Sequence, residues 1–381
     1  SASSPDEVAV QVARIVAYER NPPSGDEADW MGGVTLVASN EGSDPSDAEY
    51  CDAMAAIYQQ SAFVGAAGAD PIVRLYAGEG QARDTLIAGA IEDGTAIVTY
   101  LGHGSGTAWS STANGEFNNA DIWALDNEGR WPIVMDVSCK NGQFNLSTGD
   151  CMAEAWLNAG STASPRGAVA TYSASTDTPW DEPAVMATGF ATAIADGSAL
   201  RWGQAALLAR AHLIQQMGDS LPGGVVRVLH QYVQFGDATM MMRTAPPGMI
   251  EAALPERIPM GRFELAVAVT DGTGPLAGAL LSLTKADEVA VNGVSGDDGN
   301  VTVVIDPATG GTMDVVITAR NRIPLQTTIE VTPESCALLQ ATPAIQACSK
   351  GVLIQVWDSD RNADPAARET DVGIELARGA F

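Results

Sequence analysis

The chain has 381 residues, 46% of them hydrophobic, and sets 47 acidic against 20 basic side chains for a formal net charge of −27. That length allows two or three domains with a sizeable core, and no run of about 18 or more apolar residues suggests a membrane span. So acidic a surface repels phosphate, which argues against nucleic acid as a partner; it fits solubility better than long-range attraction of basic peptides, which salt would screen.

In chain order, Asp6 to Asn21 predicts a helix with Val8, Val12, Ile15 and Val16 on one face, stopped by Asn21-Pro22-Pro23-Ser24-Gly25. Val34 to Ser39 predicts a short strand, followed by the acidic turn Asn40-Glu41-Gly42-Ser43-Asp44-Pro45. Ser46 then caps a helix reaching about Phe63, with Asp47 and Glu49 favourably placed near its start. Pro71 to Ala77 is the next strand, and Gly80 to Asp93 an amphipathic helix.

Two apolar runs come next that suit strands covered on both faces. The first, from Ile97, stops at Gly102-His103-Gly104-Ser105; the second stops at Ser138-Cys139, followed by Lys140-Asn141-Gly142. Ser147 to Ala159 predicts a helix, Gly167 to Ser175 a strand, and Asp181 to Ala195 and Arg201 to Met217 two more helices. This alternation predicts an α/β fold, a parallel-rich sheet with helices on both faces.

Composition changes near Leu254. From Arg262 to about Thr332, short strands alternate with turns such as Asp271-Gly272, Asp297-Asp298-Gly299 and Gly310-Gly311, the pattern of a β-sandwich. The expected division is 1–256 for the α/β domain and 257–333 for the sandwich. Residues 334–381 are expected to form a C-terminal β extension or to begin a further module.

In parallel sheets the loops at the carboxyl ends of the strands form the site. There a thiol needs a base to take its proton, and His103 can serve Cys139 as that base and later as the acid for a leaving amine. Two N–H groups must face the developing oxyanion, and Gly104 and Cys139 are the natural donors, with Ser105 and Asn141 supporting the loop. Either reactive residue alone would suit a core histidine or an inert buried cysteine; together at consecutive strand ends they point to a cysteine peptidase.

Elsewhere the reactive residues are less telling. Five cysteines leave at least one unpaired, and Cys336 and Cys348 are the disulfide candidate, which suits an oxidising compartment. No CxxC or HExxH spacing occurs, so three scattered histidines make no zinc site, and His212 and His230 are expected to be structural. Cys51 is expected to be a small buried apolar group.

The stretches GHGSGTAW and DVSCKNGQF resemble the catalytic segments of the gingipain family, bacterial cysteine peptidases with a caspase-like fold. Similar echoes run through Ala17 to Asn21, Val37 to Gly42, Gly149 to Trp156, Ala174-Ser175-Thr176 ahead of Trp180, and Phe235 to Thr244. The resemblance covers roughly residues 1–247 and implies a caspase-like domain followed by an immunoglobulin-like one. It implies His103 and Cys139 as the dyad and Glu41 as the acid assisting the histidine. Asp47 falls at the floor of an arginine-specific pocket, Trp180 at its wall, and Asp181 and Glu182 near the lysine-specific member's selecting acid; Cys151 falls at a non-catalytic position.

Taken by themselves, Asp47 also suits a helix N-terminal carboxylate and Trp180 a core aromatic. The resemblance further implies a secreted or cell-surface enzyme acting on peptides or proteins with a basic P1 residue, arginine before lysine. It implies no cofactor for catalysis, with structural calcium allowed by the acidic loops though no ligands can be assigned. Family members carry a small subdomain ahead of the first helix, so a noncovalently bound N-terminal fragment is expected as a partner. Two alternatives stand beside this one: a sortase-like transpeptidase using the same dyad, and a surface binding protein in which the dyad is vestigial.

Overall fold

The structure, a computed structural model, describes residues 2–42, 44–60, 72–146, 149–217 and 222–332, together with the backbone of 338–342 and 353–357. The chain divides into two compact units, Ser1–Pro247 and Gly248–Phe381.

The first unit begins with helix α1 (Pro5–Arg20), whose Ser4 cap accepts from the Glu7 N–H and whose first residue is a proline, preset for that position. Strand β1 (Val34–Ala38) follows, then α2 (Asp47–Gln59), started by a capping box between Ser46 and Glu49. The expected reach to Phe63 lies outside the described residues. Next come β2 (Ile72–Tyr76), α3 (Asp84–Asp93) and β3 (Ile97–Leu101). The hairpin β4 (Ala108–Thr112) and β5 (Gly115–Asn118) leads to the short helix α4 (Asn119–Ala124) and then β6 (Ile133–Val137).

Helix α5 (Met152–Asn158) is shorter than expected from Ser147: Cys151 stands at its cap with extended backbone, and its N–H donates to Glu154 three residues on. Strand β7 (Ala170–Ala174), α6 (Asp181–Ala195), α7 (Trp202–Met217), α8 (Gly223–Gln231) and β8 (Tyr232–Phe235) complete the unit.

The sheet order is β2-β1-β3-β6-β7-β8, parallel throughout except that β8 runs antiparallel to β7. All five residues of β1, β3, β6 and β7 are buried, as the apolar runs require. Alternation sends side chains to two cores. Leu36 and Ala38 pack with Met54, Tyr58, Phe190 and Trp202 on one face, and Val37 and Val98 with Ile87, Trp109 and Trp156 on the other. Aromatics of this size bury about 150–250 Å² each, so each contributes roughly 4–6 kcal/mol as an upper bound. Helices α6 and α7 meet where Gly189 lies against His212, leaving no room for a Cβ there.

The second unit pairs β9 (Glu251–Ala253) and β10 (Arg257–Pro259) with later strands, so β9 lies ahead of the division expected at 257. Strands β11 (Phe263–Thr270), β12 (Leu280–Lys285), β13 (Val289–Val294), β14 (Asn300–Ile305), β15 (Gly311–Thr318) and β16 (Leu325–Thr332) follow. They form sheets of order β10-β16-β15-β12-β13 and β14-β11-β9, antiparallel except for the β10–β16 pair. Leu265, Val267, Leu281, Leu283, Val315 and Ile317 lie in its core. A separate antiparallel pair joins β17 (Leu338–Thr342) to β18 (Leu353–Trp357).

Candidate active site

Strands β1, β3, β6 and β7 are sheet neighbours, roughly 4.8 Å apart. Ala38, Leu101 and Val137 stand level in the ladder. The loops after these strands therefore leave the same edge side by side, carrying Glu41 and Asp47 after β1, His103 after β3, Cys139 after β6, and Thr178 and Trp180 after β7. The chain turns from one half of the sheet to the other between β1 and β3, the crevice where open α/β sheets place their ligands.

His103 is half-exposed, with Nε2 2.9 Å from Glu41 Oε2. Ser111 on β4 holds this pair together. Its Oγ donates to Glu41 Oε1 at 3.2 Å and accepts the His103 backbone N–H at 3.3 Å. From below, the Tyr100 hydroxyl donates to the His103 carbonyl at 2.9 Å and accepts the Ser111 N–H at 3.2 Å. Tyr100 is itself stacked on Trp109 at 4.6 Å, and Trp109 packs against Phe117 and Trp156. The histidine loop thus rests on a buried aromatic floor, which limits the positions its backbone can take.

Gly104 pairs with Trp109, and the flanking bonds run from Ser105 N–H to Ala108 O and from Ser110 N–H to His103 O. That is the wide pair of an antiparallel ladder, so the N–H of Gly104 points away from Trp109. Among the described residues neither the Gly104 nor the Cys139 N–H has a hydrogen-bond partner. A Cβ at Gly104 would collide with the Cys139 carbonyl oxygen and with Ser138 Oγ, so the two strand ends touch here and only glycine fits.

Cys139 is a free, half-buried thiol. Its Sγ accepts from the Thr178 N–H at 3.4 Å, with the Thr178 carbonyl and hydroxyl oxygens at 4.0 Å. Lys140 then adopts φ +63°, a left-handed conformation costing a non-glycine residue about 1 kcal/mol or more. That reversal brings the Asn141 N–H back to the Cys139 carbonyl at 2.8 Å. Lys140 Nζ also pairs with Asp177 Oδ1 at 2.9 Å across to the β7 loop. The pair is exposed to solvent and screened by it, so it orients the loop more than it stabilises it.

Asp47 is 3% exposed. The Ser39 hydroxyl donates to its Oδ2 at 2.5 Å and Trp180 Nε1 donates to its Oδ1 at 3.1 Å. Burial pushes its carboxyl above the ordinary range; Glu41 adds to the rise, while the two donors and His103 oppose it. Trp180 also sets its ring edge-on to His103, with centroids 4.9 Å apart. Asp47, Trp180 and His103 are therefore one contiguous group.

Asp181 and Glu182 sit differently. The exposed Asp181 lies near Tyr50, whose titration is pushed upward by burial and then by this acid, with Asp47 and Glu182. The Glu182 carboxylate lies against Gly224 in the first turn of α8, where a helix favours negative charge.

The other expected positions fall away from this cluster. Cys51 and Cys151 are buried, and burial raises both thiols, Cys151 to about 12, so neither is a ready thiolate. Cys336 and Cys348 lie outside the described residues. Among the described residues no group of three or more His, Cys, Asp or Glu side chains is placed to hold a metal ion. Ser111 and Thr178 carry no sequence signal of their roles, because one acts from a hairpin strand and the other from a loop, eight and thirty-nine residues away from the groups they touch.

The geometry combines a carboxylate-bound imidazole, a neighbouring thiol, two N–H groups at the junction and a buried carboxylate beside them. That set can carry acyl transfer to sulfur next to a cationic side chain.

Residues 1–243 match Peptidase family C25. Gingipain R2 of Porphyromonas gingivalis is 24% identical over 328 residues, 80% of this chain and 41% of that protein. Gingipain R1 of the same organism is 29% identical over 188 residues, 48% of this chain and 18% of its own length. The chain thus spans about two fifths of Gingipain R2. The crystal structure of the Arg-specific cysteine proteinase gingipain R superposes with a TM-score of 0.76 at 22% identity, covering 87% of this chain and 74% of that one. A complex of the Porphyromonas gingivalis RgpB pro- and mature domains gives 0.75 at 22% identity, covering 87% and 75%.

Proposed function

The chain belongs to peptidase family C25 and is a gingipain-like cysteine peptidase, and from that premise we propose that it is a secreted endopeptidase cutting after arginine in preference to lysine. Cys139 is the nucleophile and His103 its base. With Nε2 committed to Glu41, the nitrogen left to take the thiol proton is Nδ1. The thiolate attacks the scissile carbonyl, and the negative oxygen of the tetrahedral intermediate is met by the N–H groups of Gly104 and Cys139. The imidazolium returns its proton to the leaving amine, giving a thioester. A water then attacks with His103 again as base, the acid leaves, and the thiol is restored.

Glu41 favours the imidazolium by a charge-assisted bond, and Ser111 keeps that carboxylate in place. Asp47 faces the basic P1 side chain, and a guanidinium can engage a carboxylate in two parallel bonds where an ammonium acts as a point charge. The observation that carries this reading is the convergence of Glu41, His103, Cys139 and the Asp47–Trp180 pair on four adjacent strand ends.

The test is to label the protein with an iodoacetamide-type reagent and assay Arg- and Lys-reporter peptides. The expected result is modification of Cys139 ahead of Cys51 and Cys151, with loss of both activities in proportion to Cys139 labelling and faster turnover of the Arg reporter beforehand. Full activity with Cys139 blocked would overturn the assignment.

The second unit, with its two mainly antiparallel sheets, is proposed to be an immunoglobulin-like neighbour without chemistry of its own. On α1, Val8, Val12 and Val16 form an apolar row about half exposed to solvent. An N-terminal fragment held without a covalent link would cover it, and the gingipain complex of pro- and mature domains offers a parallel. Mass spectrometry of the natural enzyme under native and then denaturing conditions should show one heavier species that separates into two. A single species of one mass in both spectra, with full activity, would dismiss the fragment.

A further inference from the structure

Asp136 has no part in the chemistry above, yet it lies on β6 three residues before Cys139 and is only 1% exposed. A carboxylate in the middle of a buried parallel strand is costly unless its oxygens are satisfied. Both are, and by neutral groups. The Ser138 hydroxyl donates to Oδ1 at 2.5 Å and Asn141 Nδ2 donates to Oδ2 at 3.1 Å. Asn141 Nδ2 also donates to Ser138 Oγ at 2.8 Å, which closes a ring of three side chains under the cysteine turn.

The ring reaches further. Asn141 Oδ1 accepts the backbone N–H of Gly106 at 3.0 Å, and Gly106 lies three residues past His103 with φ +103°. One amide side chain therefore joins the turn after β6 to the loop after β3. Its rotamer is set by the carboxylate, because a group accepting at Oδ2 forces the NH₂ to face Asp136 and the carbonyl to face Gly106. Burial raises the Asp136 carboxyl to about 6, opposed mainly by Ser138 and Asn141. Among the described residues the hydroxyls of Tyr100 on the neighbouring β3 and of Tyr232 on β8, one strand beyond β7, also feel its charge.

We propose that Asp136 is a positioning residue: through Ser138 and Asn141 it locks the turn carrying Cys139 to the loop carrying His103. The inference rests on the dyad assigned above. A buried carboxylate bonded only to neutral partners holds the fold no better than an amide would, so what it supplies is orientation.

Asp136→Asn tests this, since it keeps volume and the acceptor for Ser138 but turns an NH₂ toward the NH₂ of Asn141. The expected result is a fall in kcat of about 10- to 100-fold with KM changed by no more than about threefold, the scale of a small displacement between reacting groups. The melting temperature should change little, because losing the buried charge offsets the new contact between two NH₂ groups, and the alkylation rate of Cys139 should fall alongside kcat. The double variant Asp136→Asn with Asn141→Asp restores a donor facing an acceptor and should recover most of the loss. Ser138→Ala, which removes one member and leaves the Asp136–Asn141 bond, should show a smaller fall of the same kind.

A kcat within twofold of wild type in Asp136→Asn would overturn the proposal. So would an activity loss that tracks a lowered melting temperature and is not recovered by the swap. Cys139→Ala run in parallel separates the two readings: if it stays active the dyad is wrong, whereas an inactive Cys139→Ala beside an unaffected Asp136→Asn discards the positioning role alone.

Discussion

Cys139→Ala is expected to abolish turnover while the protein stays folded, and His103→Ala to do the same. Loss of either member of a nucleophile–base pair removes on the order of 10⁴- to 10⁶-fold in kcat, and the double variant should be no worse than the singles because the two act as a unit. The fold should tolerate both. Among the described residues the thiol's hydrogen-bond contacts are to Thr178, at 3.4–4.0 Å, the thiol is half-buried and the imidazole half-exposed, so truncation of either changes stability by roughly 1 kcal/mol or less. The measurement is kcat/KM on an Arg reporter beside a thermal melt. Near wild-type turnover in either variant, with an unchanged melt, would end the dyad assignment.

Asp47→Asn is expected to be the most selective change. Leaving a basic P1 charge without its buried carboxylate should cost about 2–5 kcal/mol, roughly 30- to several-thousand-fold in kcat/KM, with Arg reporters losing more than Lys reporters. Ser39 and Trp180 already donate to Asp47, but a carboxylate offers about four acceptor sites, which leaves room for a guanidinium.

The pH dependence has a definite sign. Burial raises the folded-state pKa of Asp47 above its unfolded value, so this group's contribution to stability is fully present below the unfolded pKa and is lost as pH rises through the folded one. Substrate binding runs the other way, because the basic P1 side chain needs the ionised form. The wild type should therefore show a loss of kcat/KM as pH falls through the raised pKa, and Asp47→Asn should lack that limb. An unchanged Arg-over-Lys preference would move the selecting role to Asp181 and Glu182, which face Tyr50 and the start of α8.

Local pattern alone fixes a good deal of this molecule. The apolar runs ending at His103 and Cys139 read as covered strands from their shortness, their β-branched residues and the glycines that follow, and in the structure both are fully buried five-residue strands whose ends lie on one sheet edge. Ser46, with Glu49 three residues on, announces the start of α2, since a capping box is satisfied within its own four residues. The change of period near Leu254 likewise signals a β-rich segment, as alternation is a property of each strand alone, though the second compact unit begins at Gly248 and takes in β9 ahead of that change.

Chain order could not state which strands become neighbours. The order β1-β3-β6 sets Glu41 beside His103 and His103 beside Cys139, and that depends on how helices cover two faces of the sheet. The same holds for Ser111 on a hairpin, for Thr178 at the thiol, and for Asp136, which as a lone acid in an apolar run gives no sign of its partners. The antiparallel β8 and the shortened α5 are also settled by packing: among the described residues β8 pairs with β7 alone, and Glu154 turns back to the cap at Cys151. Hydrophobic period and caps act over a few residues and are legible one segment at a time. The approach of Gly104 to Cys139 joins positions thirty-five apart, and only the close-packed interior that admits no Cβ between them decides it.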